Sequence, residues 1–336
     1  MTRLAMGVIG LGWFGRRHAA LWRDLPQTRL VAVADPSPEA AAHAAEALPG
    51  VAVHADFESL LARSDIDAVS ICLPDRAHEA AATAAARAGK ATLLEKPLAH
   101  TAEVAGRIVD AFEAAGTRLM IGHVLRFDPR YVEVHRASAP EHLGTPIHLR
   151  AKRNGIRSTA ARLGERTSIL FYMGVHDVDA MQWVARCPIV RVYARERRVL
   201  GTGNEDAIYA VADFANGAIG SFDWSWAWPD GLMNGYRAAL EVVGTRAAAY
   251  MDCTDQGFYA VDEAGTTGGD THLWPEINGR IVGDLADELS HFATAVLDGR
   301  PFVQDPREAA NAVRVLDALA RSVATGMPVD VAGASG

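Results

Sequence analysis

A glycine-rich turn near the N-terminus constrains the fold of this chain more than any other feature. An apolar run ends at Gly10, and residues with helical apolar spacing follow it, so Gly10, Gly12 and Gly15 form G-x-G-x-x-G where a strand meets a helix. Glycines there permit a tight turn and let backbone N–H groups approach a pyrophosphate at a helix N-terminus, which favours anions. The motif is weak evidence by itself, so its context decides the interpretation.

The next apolar segment, RLVAVAD, ends at Asp35, twenty residues after Gly15. A dinucleotide site needs a carboxylate at this place to accept hydrogen bonds from the ribose hydroxyls. A 2′-phosphate would meet like charge there, because two unit charges about 4 Å apart repel by about 4 kcal/mol at an effective dielectric of about 20. The predicted cofactor is therefore NAD, with NADP disfavoured. The alternative is that Asp35 only starts the following turn and caps its helix.

Strands and helices continue to alternate up to residue 122, and two of the helical segments are closed by Gly89 and Gly116. Repeated β-α units of this length predict a Rossmann-like, doubly wound parallel sheet with helices on both faces. Ligands bind beyond the carboxyl ends of the strands in such sheets, so the residues at these ends should line one crevice. Those residues are Gly10, Asp35, Pro74, Lys96 and His123.

Residues 123–330 have a different pattern, which predicts a C-terminal α+β domain. Apolar residues alternate with period two from residue 189 to 262, as in a large, mostly antiparallel open sheet, and Asn216-Gly217 is a strong hairpin turn. Two closing helices are predicted near residues 281–298 and 305–324, and residues 331–336 are predicted to be a loose tail.

One strand of this sheet carries an aromatic row of Phe222, Trp224, Trp226 and Trp228 on a single face. A sugar-stacking platform and a buried sheet face are both alternatives. Because aromatic rows usually fill cores and interfaces, we predict a subunit interface.

Charge and cysteine content exclude several kinds of function. Lys and Arg total 33 against 41 for Asp and Glu, a net charge of −8, and no basic stripe is present, which argues against nucleic acid or anionic membrane as a partner. Cys72, Cys187 and Cys253 are isolated and odd in number, so neither a disulfide framework nor a metal site is predicted. The N-terminus lacks the apolar stretch of a signal peptide and no run is long enough to span a membrane, so a cytoplasmic location is predicted.

Nearly the whole chain resembles the glucose–fructose oxidoreductase and inositol dehydrogenase family, often written Gfo/Idh/MocA. The E-K-P tripeptide at a strand end, followed some eighty residues later by a G-x-H helix, is more specific than the glycine fingerprint. The resemblance implies hydride transfer between a nicotinamide cofactor and a hydroxyl or carbonyl carbon, usually of a sugar or cyclitol. It also implies that the C-terminal domain, residues 123–330, serves substrate binding and oligomerisation. The segments that carry it are GLGWFGRRH at 10–18, ICLPDRAHEAAATAAARAGKATLLEKPLA at 71–99, RFDP at 126–129, GVHDVD at 174–179, FANGAIGSF at 214–222 and the closing DPREAANAVRVLDALARSVATGMPV.

The family's catalytic lysine and histidine correspond to Lys96 and His176. Oxidising an alcohol needs a base for the hydroxyl proton and a positive donor for the developing alkoxide. Neutral His176 is the predicted base and Lys96, held by Pro97 at its strand end, the predicted donor. Glu95 then orients the lysine or contacts the cofactor, and the Lys96–Pro97 peptide is a candidate for the cis form. The alternative is a surface lysine paired with Glu95 and a histidine satisfied within its helix.

The chain departs from the family at Tyr172, where relatives commonly have an aspartate one helical turn before the histidine. A tyrosine donates a hydrogen bond to a substrate hydroxyl or relays a proton, but it brings no negative charge. Asp179 is predicted to orient the imidazole instead, with Asp177 as a less well placed alternative.

The resemblance implies further contacts with substrate and with cofactor. Each of the substrate contacts is equally compatible with a residue on the solvated surface. The predicted substrate contacts are Arg126, Lys152, Asn154 and Tyr236. The predicted cofactor contacts, beside the three glycines and Asp35, are Trp13, Phe14, Leu73, Pro74, His78, Glu95, Lys96 and His123.

The leading hypothesis is an NAD-dependent dehydrogenase or reductase for a sugar, cyclitol or sugar derivative, assembled as a homodimer or homotetramer through the C-terminal sheet. A second hypothesis is an enzyme that uses bound NAD to cleave glycosides by transient oxidation and elimination. A third is a non-catalytic NAD-binding sensor, which Tyr172 leaves open while intact Lys96 and His176 argue against it.

Overall fold

The computed structural model describes residues 3–254, 257–263 and 265–333. The chain forms two compact units, one of residues 1–124 and 274–310 and the other of residues 125–273 and 311–336. The boundary predicted from the sequence, between residues 122 and 123, assigns residues 274–310 to the C-terminal domain. In the structure these residues pack with the first unit. Part of the predicted loose tail, residues 334–336, lies outside the described residues.

A six-stranded parallel sheet forms the centre of the first unit. Its strands are β1 (Leu4–Ile9), β2 (Thr28–Ala34), β3 (Ala52–His54), β4 (Ala68–Ile71), β5 (Ala91–Glu95) and β6 (Leu119–Gly122). They lie in the order β3-β2-β1-β4-β5-β6, and every neighbouring pair is parallel. The predicted Rossmann-like architecture is confirmed, and the chain changes direction across the sheet between β3 and β4, which places the switch point beside β1.

The α-helices follow the predicted alternation, with side-chain caps at several starts. In chain order they are α1 (Trp13–Asp24), α2 (Pro38–Ala47), α3 (Phe57–Leu61), α4 (His78–Arg87), α5 (Ala102–Ala115), α6 (Pro129–Ala137), α7 (Pro140–Leu143), α8 (Arg157–Leu163), α9 (Val175–Ala185), α10 (Asp284–Asp298) and α11 (Pro306–Thr325). Ser37, Asp56 and Thr101 each accept a backbone N–H at the start of α2, α3 and α5, and Gly116 ends α5 in the left-handed conformation.

A seven-stranded sheet forms the centre of the second unit. Its strands are β7 (Pro146–Ile156), β8 (Ile189–Arg197), β9 (Ala207–Phe214), β10 (Ile219–Trp228), β11 (Tyr236–Gly244), β12 (Ala248–Asp252) and β17 (Val329–Asp330). The order is β12-β11-β7-β10-β9-β8-β17, with β7 and β10 parallel and the other pairs antiparallel. The predicted, mostly antiparallel sheet is therefore confirmed.

Two short antiparallel pairs complete the strands. They are β13 (Tyr259–Asp262) with β14 (Gly265–Gly268), and β15 (Glu276–Ile277) with β16 (Arg280–Ile281). The predicted turn at Asn216-Gly217 joins β9 to β10, with Gly217 at a φ of 84° and the Ala218 N–H donating to Asn216 Oδ1.

The aromatic row on β10 lies in the core of its own unit, so the predicted subunit interface is wrong for these residues. Phe222, Trp224 and Trp226 are buried and Trp228 is half-buried. The alternation of the strand turns this face towards the helices, and the buried sheet face that sequence analysis left as an alternative is the correct interpretation.

A search for membrane spans among the described residues found no helix with the length and apolar character that crossing a bilayer requires.

Candidate active site

The turn between β1 and α1 requires glycine at two of its three positions. Gly10 has a φ of 91°, and a Cβ there would lie 2.7 Å from the Cys72 carbonyl oxygen. A Cβ on Gly15 would lie 1.9 Å from the Gly10 carbonyl oxygen. Gly12 has open space where a side chain would lie, and it starts α1 without a side-chain cap. The turn thus leaves the first N–H groups of α1 uncapped by side chains, which fits the pyrophosphate of a dinucleotide.

The Asp35 carboxylate lies at the end of β2, where it holds two backbone N–H groups. Leu11 donates to Oδ2 at 2.7 Å and Ser37 donates to Oδ1 at 2.9 Å. The helix cap that sequence analysis considered for Asp35 belongs to Ser37, whose hydroxyl accepts the Ala40 N–H. Asp35 is half-buried and tied directly to the glycine-rich turn, which is the location that a ribose-binding carboxylate requires.

An acid, Glu95, and a base, Lys96, lie together at the end of β5. The Lys96–Pro97 peptide is cis, and the Lys96 N–H donates to Glu95 Oε2 at 3.2 Å. Glu95 is only 7% exposed, and its Oε1 lies 3.3 Å from His18 Nε2. A Cβ on Gly122 would lie 2.6 Å from the same oxygen, so β6 confines the carboxylate from the other side. Glu95 therefore has a buried partner, His18, that sequence analysis did not place in the site.

His78 is buried and connects two loops at the strand ends. One ring nitrogen lies 2.8 Å from the Leu73 carbonyl oxygen and the other lies 3.3 Å from that of Leu98. Burial lowers the pKa of His78, so the neutral ring is favoured. These contacts make His78 a brace between loops, and its direct contact with the cofactor stays a prediction. Pro74 is exposed beside it, and His123 is buried at the end of β6.

Three aromatic rings surround the start of α1. Trp13 is 53% exposed, and the Arg17 guanidinium lies 3.6 Å from its ring centre. The ring of Trp274 packs edge-on against both Trp13 and Phe14, with centroids 5.7 Å apart in each case. Trp274 begins the segment that returns to the first unit, and sequence analysis gave that segment no role.

His176 lies in the first turn of α9, directly after a π-helical turn at Leu170–Gly174. It is half-buried, as is Tyr172, whose ring centroid lies 5.8 Å from that of Trp226. π-Helical turns occur frequently at functional sites, because they change the direction of side chains within a helix. The irregularity therefore coincides with the two residues predicted to act on substrate.

Arg126 and Asp179, predicted to contact substrate and to orient His176, form a buried ion pair with each other. The guanidinium donates to both carboxylate oxygens, at 2.8 and 3.0 Å, and lies 5.5 Å from the Trp183 ring centre. Such a two-point contact fixes the geometry of both side chains. It connects the turn after β6 to the helix that carries His176.

Asp177 belongs to a second buried network and is not turned to the surface. The carboxylate is 1% exposed, binds Arg153 at 2.9 Å, and accepts the Trp224 indole N–H at 2.8 Å. Arg153 also donates to the Tyr131 hydroxyl at 2.8 Å. Although burial favours the neutral guanidine, the neighbouring Asp177 carboxylate keeps the pKa of Arg153 above its ordinary value. This network attaches α9 to β7 and β10.

Lys152 lies on the opposite face of β7 from Arg153, because successive strand residues alternate. Its ammonium lies 3.8 Å from Asp223, and its side chain lines a surface depression with Arg150 and Arg237. Since α9 covers the Arg153 face, Lys152 faces away from the helix that carries His176. The structure therefore argues against its predicted substrate contact.

The other two predicted substrate residues lie near the end of β7. Asn154 is buried, and its Oδ1 accepts no hydrogen bond from the described residues. Tyr236 on β11 pairs with Gly155. Burial raises the pKa of Tyr236 to about 12, so its hydroxyl is a hydrogen-bond donor at neutral pH. No group of three or more His, Cys, Asp or Glu in the part of the chain that the structure describes is arranged to hold a metal ion.

Comparison with known proteins agrees with the fold and with the glycine-rich turn. Residues 4–123 match the family described as "Oxidoreductase family, NAD-binding Rossmann fold" (GFO_IDH_MocA), and residues 131–250 match the GFO/IDH/MocA C-terminal domain. An inositol 2-dehydrogenase of Rubrobacter xylanophilus is 31% identical over 254 residues, which is 74% of this chain and 71% of that protein.

Two further relatives show how far the likeness extends. Inositol 2-dehydrogenase 1 of Saccharopolyspora erythraea is 37% identical over 196 residues, so this chain spans 58% of the length of that relative and 57% of its own. The crystal structure of GenD2 from gentamicin A biosynthesis, in complex with NAD, superimposes with a TM-score of 0.84 at 28% identity over 98% of this chain and 97% of that one. By sequence and by fold, the chain belongs to the Gfo/Idh/MocA family of oxidoreductases with an NAD-binding Rossmann domain.

Proposed function

We propose that this protein is an NAD-dependent dehydrogenase that oxidises a ring hydroxyl of a cyclitol or sugar. The observation that carries the proposal is the arrangement of Glu95 and Lys96 at the end of β5, beside a turn that requires glycine at residues 10 and 15. The inositol dehydrogenases among the relatives support a cyclitol or a closely related polyol as substrate.

The proposed mechanism uses two residues as an acid–base pair. Bound NAD would supply the acceptor for the hydride that leaves the substrate carbon. The His176 imidazole takes the hydroxyl proton, and the Lys96 ammonium stabilises the negative charge that develops on the substrate oxygen. Tyr172 donates a hydrogen bond to another hydroxyl of the substrate, in place of a carboxylate.

Three residues of the predicted site receive positioning roles in this proposal. Arg126 and Asp179 hold α9 through their ion pair, so that His176 keeps a fixed position. His78 holds the loops at Leu73 and Leu98, and these loops would contact the cofactor. Asp35 binds the adenosine ribose, which supports NAD over NADP because its carboxylate opposes a 2′-phosphate.

Substitution of the proposed acid–base pair tests the mechanism. Lys96→Ala and His176→Ala should each lower kcat by about 10²-fold or more while NAD still binds. The assay is NAD reduction with myo-inositol, scyllo-inositol and a panel of sugars, and NAD affinity is measured by tryptophan fluorescence. Near-normal kcat in either variant would remove that residue from the mechanism.

Lys152→Ala is the matched control for the lysine. Because its side chain lies on the other face of β7, turnover should change less than about threefold, as for an exposed charge. A loss as large as that of Lys96→Ala would favour the original prediction of a substrate contact.

We also propose that the protein forms a homodimer or homotetramer through the outer face of the seven-stranded sheet. Tyr209, Val211, Ile219 and Tyr250 lie on this sheet and are each more than half exposed, an apolar surface that favours association. Val211→Glu should shift the mass measured by light scattering after size exclusion towards the monomer. An unchanged mass would mean that the protein does not associate through this surface.

A further inference from the structure

A buried acid in the first unit is not explained by the proposed mechanism. Glu288 lies on α10, is 0% exposed, and neither carboxylate oxygen has a hydrogen-bond partner among the described residues. The face of α10 that carries it packs against α1, where Phe292 lies one turn after Glu288 and its ring centroid is 6.0 Å from that of Trp22. An acid sealed in this way must either be neutral or have a compensating charge.

Three titratable groups interact electrostatically with Glu288, namely Cys72 after β4, Glu95 of β5 and Asp284 of α10. His18 of α1 lies beside one of them, 3.3 Å from the Glu95 carboxylate. Cys72 lies directly behind the glycine-rich turn, since a Cβ on Gly15 would be 3.3 Å from the Cβ of Cys72. The pocket therefore lies between α10 and the turn that carries the dinucleotide signature.

The charges of this pocket do not balance if every acid is ionised. His18 is the only basic group among these neighbours, and it lies 3.3 Å from Glu95. Burial raises the pKa of Glu288 well above its ordinary value, and the Glu95 and Asp284 carboxylates raise it further. Burial likewise raises the pKa of Cys72, with contributions from Glu95 and Glu288, so the thiol is neutral and adds no charge.

We propose that Glu288 is a positioning residue that stays neutral and thereby lets Glu95 keep its place between His18 and the Lys96 N–H. An ionised Glu288 would repel Glu95 and weaken its approach to His18, and with it the hydrogen bond from the Lys96 N–H. The effect on turnover rests on the proposed function of Lys96. The neutrality of Glu288 does not depend on that function, because it follows from the enclosure of the side chain.

Two substitutions of Glu288 distinguish the effect of its charge from the effect of its size. Glu288→Gln keeps the size of the acid without a charge, so kcat should remain within about threefold of the wild type, whereas Glu288→Ala leaves a void beside Glu95 and should lower kcat about tenfold or more with NAD affinity little changed. Asp287→Asn, the neighbouring exposed acid on α10, is the control and should change neither value. Equal loss in Gln and Ala, or full turnover in Ala, would overturn the proposal.

The pH dependence of unfolding gives a second test of the proposal, which does not require a measurement of activity. A folded-state pKa above the ordinary value means that folded Glu288 keeps a proton which the unfolded chain releases, so stability falls as pH rises from the ordinary glutamate pKa of 4.5. Relative to wild type, Glu288→Gln should therefore gain thermal stability from pH 5 to pH 8, and Asp287→Asn should show less of this gain. Parallel curves for Glu288→Gln and wild type would overturn the proposal even if Ala does not fold. If Lys96→Ala keeps its turnover, the proposed function fails while this stability difference remains.

Discussion

Replacing Arg153 with methionine breaks the network that attaches α9 to the sheet. The guanidinium binds the Asp177 carboxylate at 2.9 Å and the Tyr131 hydroxyl at 2.8 Å, and after the change Asp177 keeps only the Trp224 indole N–H of these contacts. A carboxylate that is 1% exposed would then carry an uncompensated charge. Removing one partner of a buried ion pair costs about 3–5 kcal/mol, so we expect the free energy of unfolding of the second unit to fall by that amount.

Urea unfolding followed by tryptophan fluorescence measures this loss, because Trp224 belongs to the network. The double variant Arg153→Met with Asp177→Asn should lose less than the sum of the two single variants, since the second change removes the charge that the first left alone. Lys152→Met is the control on the other face of the strand, where its 3.8 Å pair with Asp223 is worth about 0–1 kcal/mol. A loss below about 1 kcal/mol for Arg153→Met, or strictly additive losses, would refute the reasoning.

Three further expectations concern cofactor choice, the turn and pH. Asp35→Ser should lower the preference for NAD over NADP about tenfold or more in kcat/KM, and an unchanged ratio would mean that Asp35 does not contact the ribose. Gly15→Ala should abolish NAD binding in a fluorescence titration, since its Cβ would lie 1.9 Å from a carbonyl oxygen, while Gly106→Ala, which has open space, should bind normally. Burial lowers the pKa of His135 to about 4, so the unfolded chain binds the extra proton first and stability should fall as pH drops from 6.5 towards 4. His135→Phe should flatten that dependence in thermal melts, and an unaltered slope would assign it to another group.

The strand ends of the first unit were predictable because each follows from local pattern. Glycines at a strand-to-helix junction and an acid after the second strand are short-range signals, and parallel strands bring their carboxyl ends to one edge. The structure accordingly has Gly10, Asp35, Pro74, Lys96 and His123 at or just after the ends of their strands.

The partners of the charged residues were not predictable, because they come from distant parts of the chain. Arg126 is 53 residues from Asp179, and Arg153 is 24 from Asp177. Lys152 and Arg153 are neighbours in sequence, yet strand alternation sends them to opposite faces, so an error of one residue reverses the role.

The helix α10 also escaped prediction as part of the first unit. Its sequence gives an ordinary amphipathic pattern, and nothing local says which sheet it covers. Glu288 in such a pattern reads as a solvated acid, and only its packing against α1 shows that it is buried.

The return of residues 274–310 to the first unit has a consequence for biosynthesis. Until α10 leaves the ribosome, the surface of α1 that carries Trp22 has no cover from Phe292, and the Arg118 guanidinium lacks the Ala295 carbonyl that it binds in the finished protein. A fragment truncated after β6 would contain every strand of the nucleotide-binding sheet and still expose this apolar patch to chaperones and to aggregation. The cofactor-binding half therefore gains the cover of Phe292 over Trp22 only after α10 has been translated.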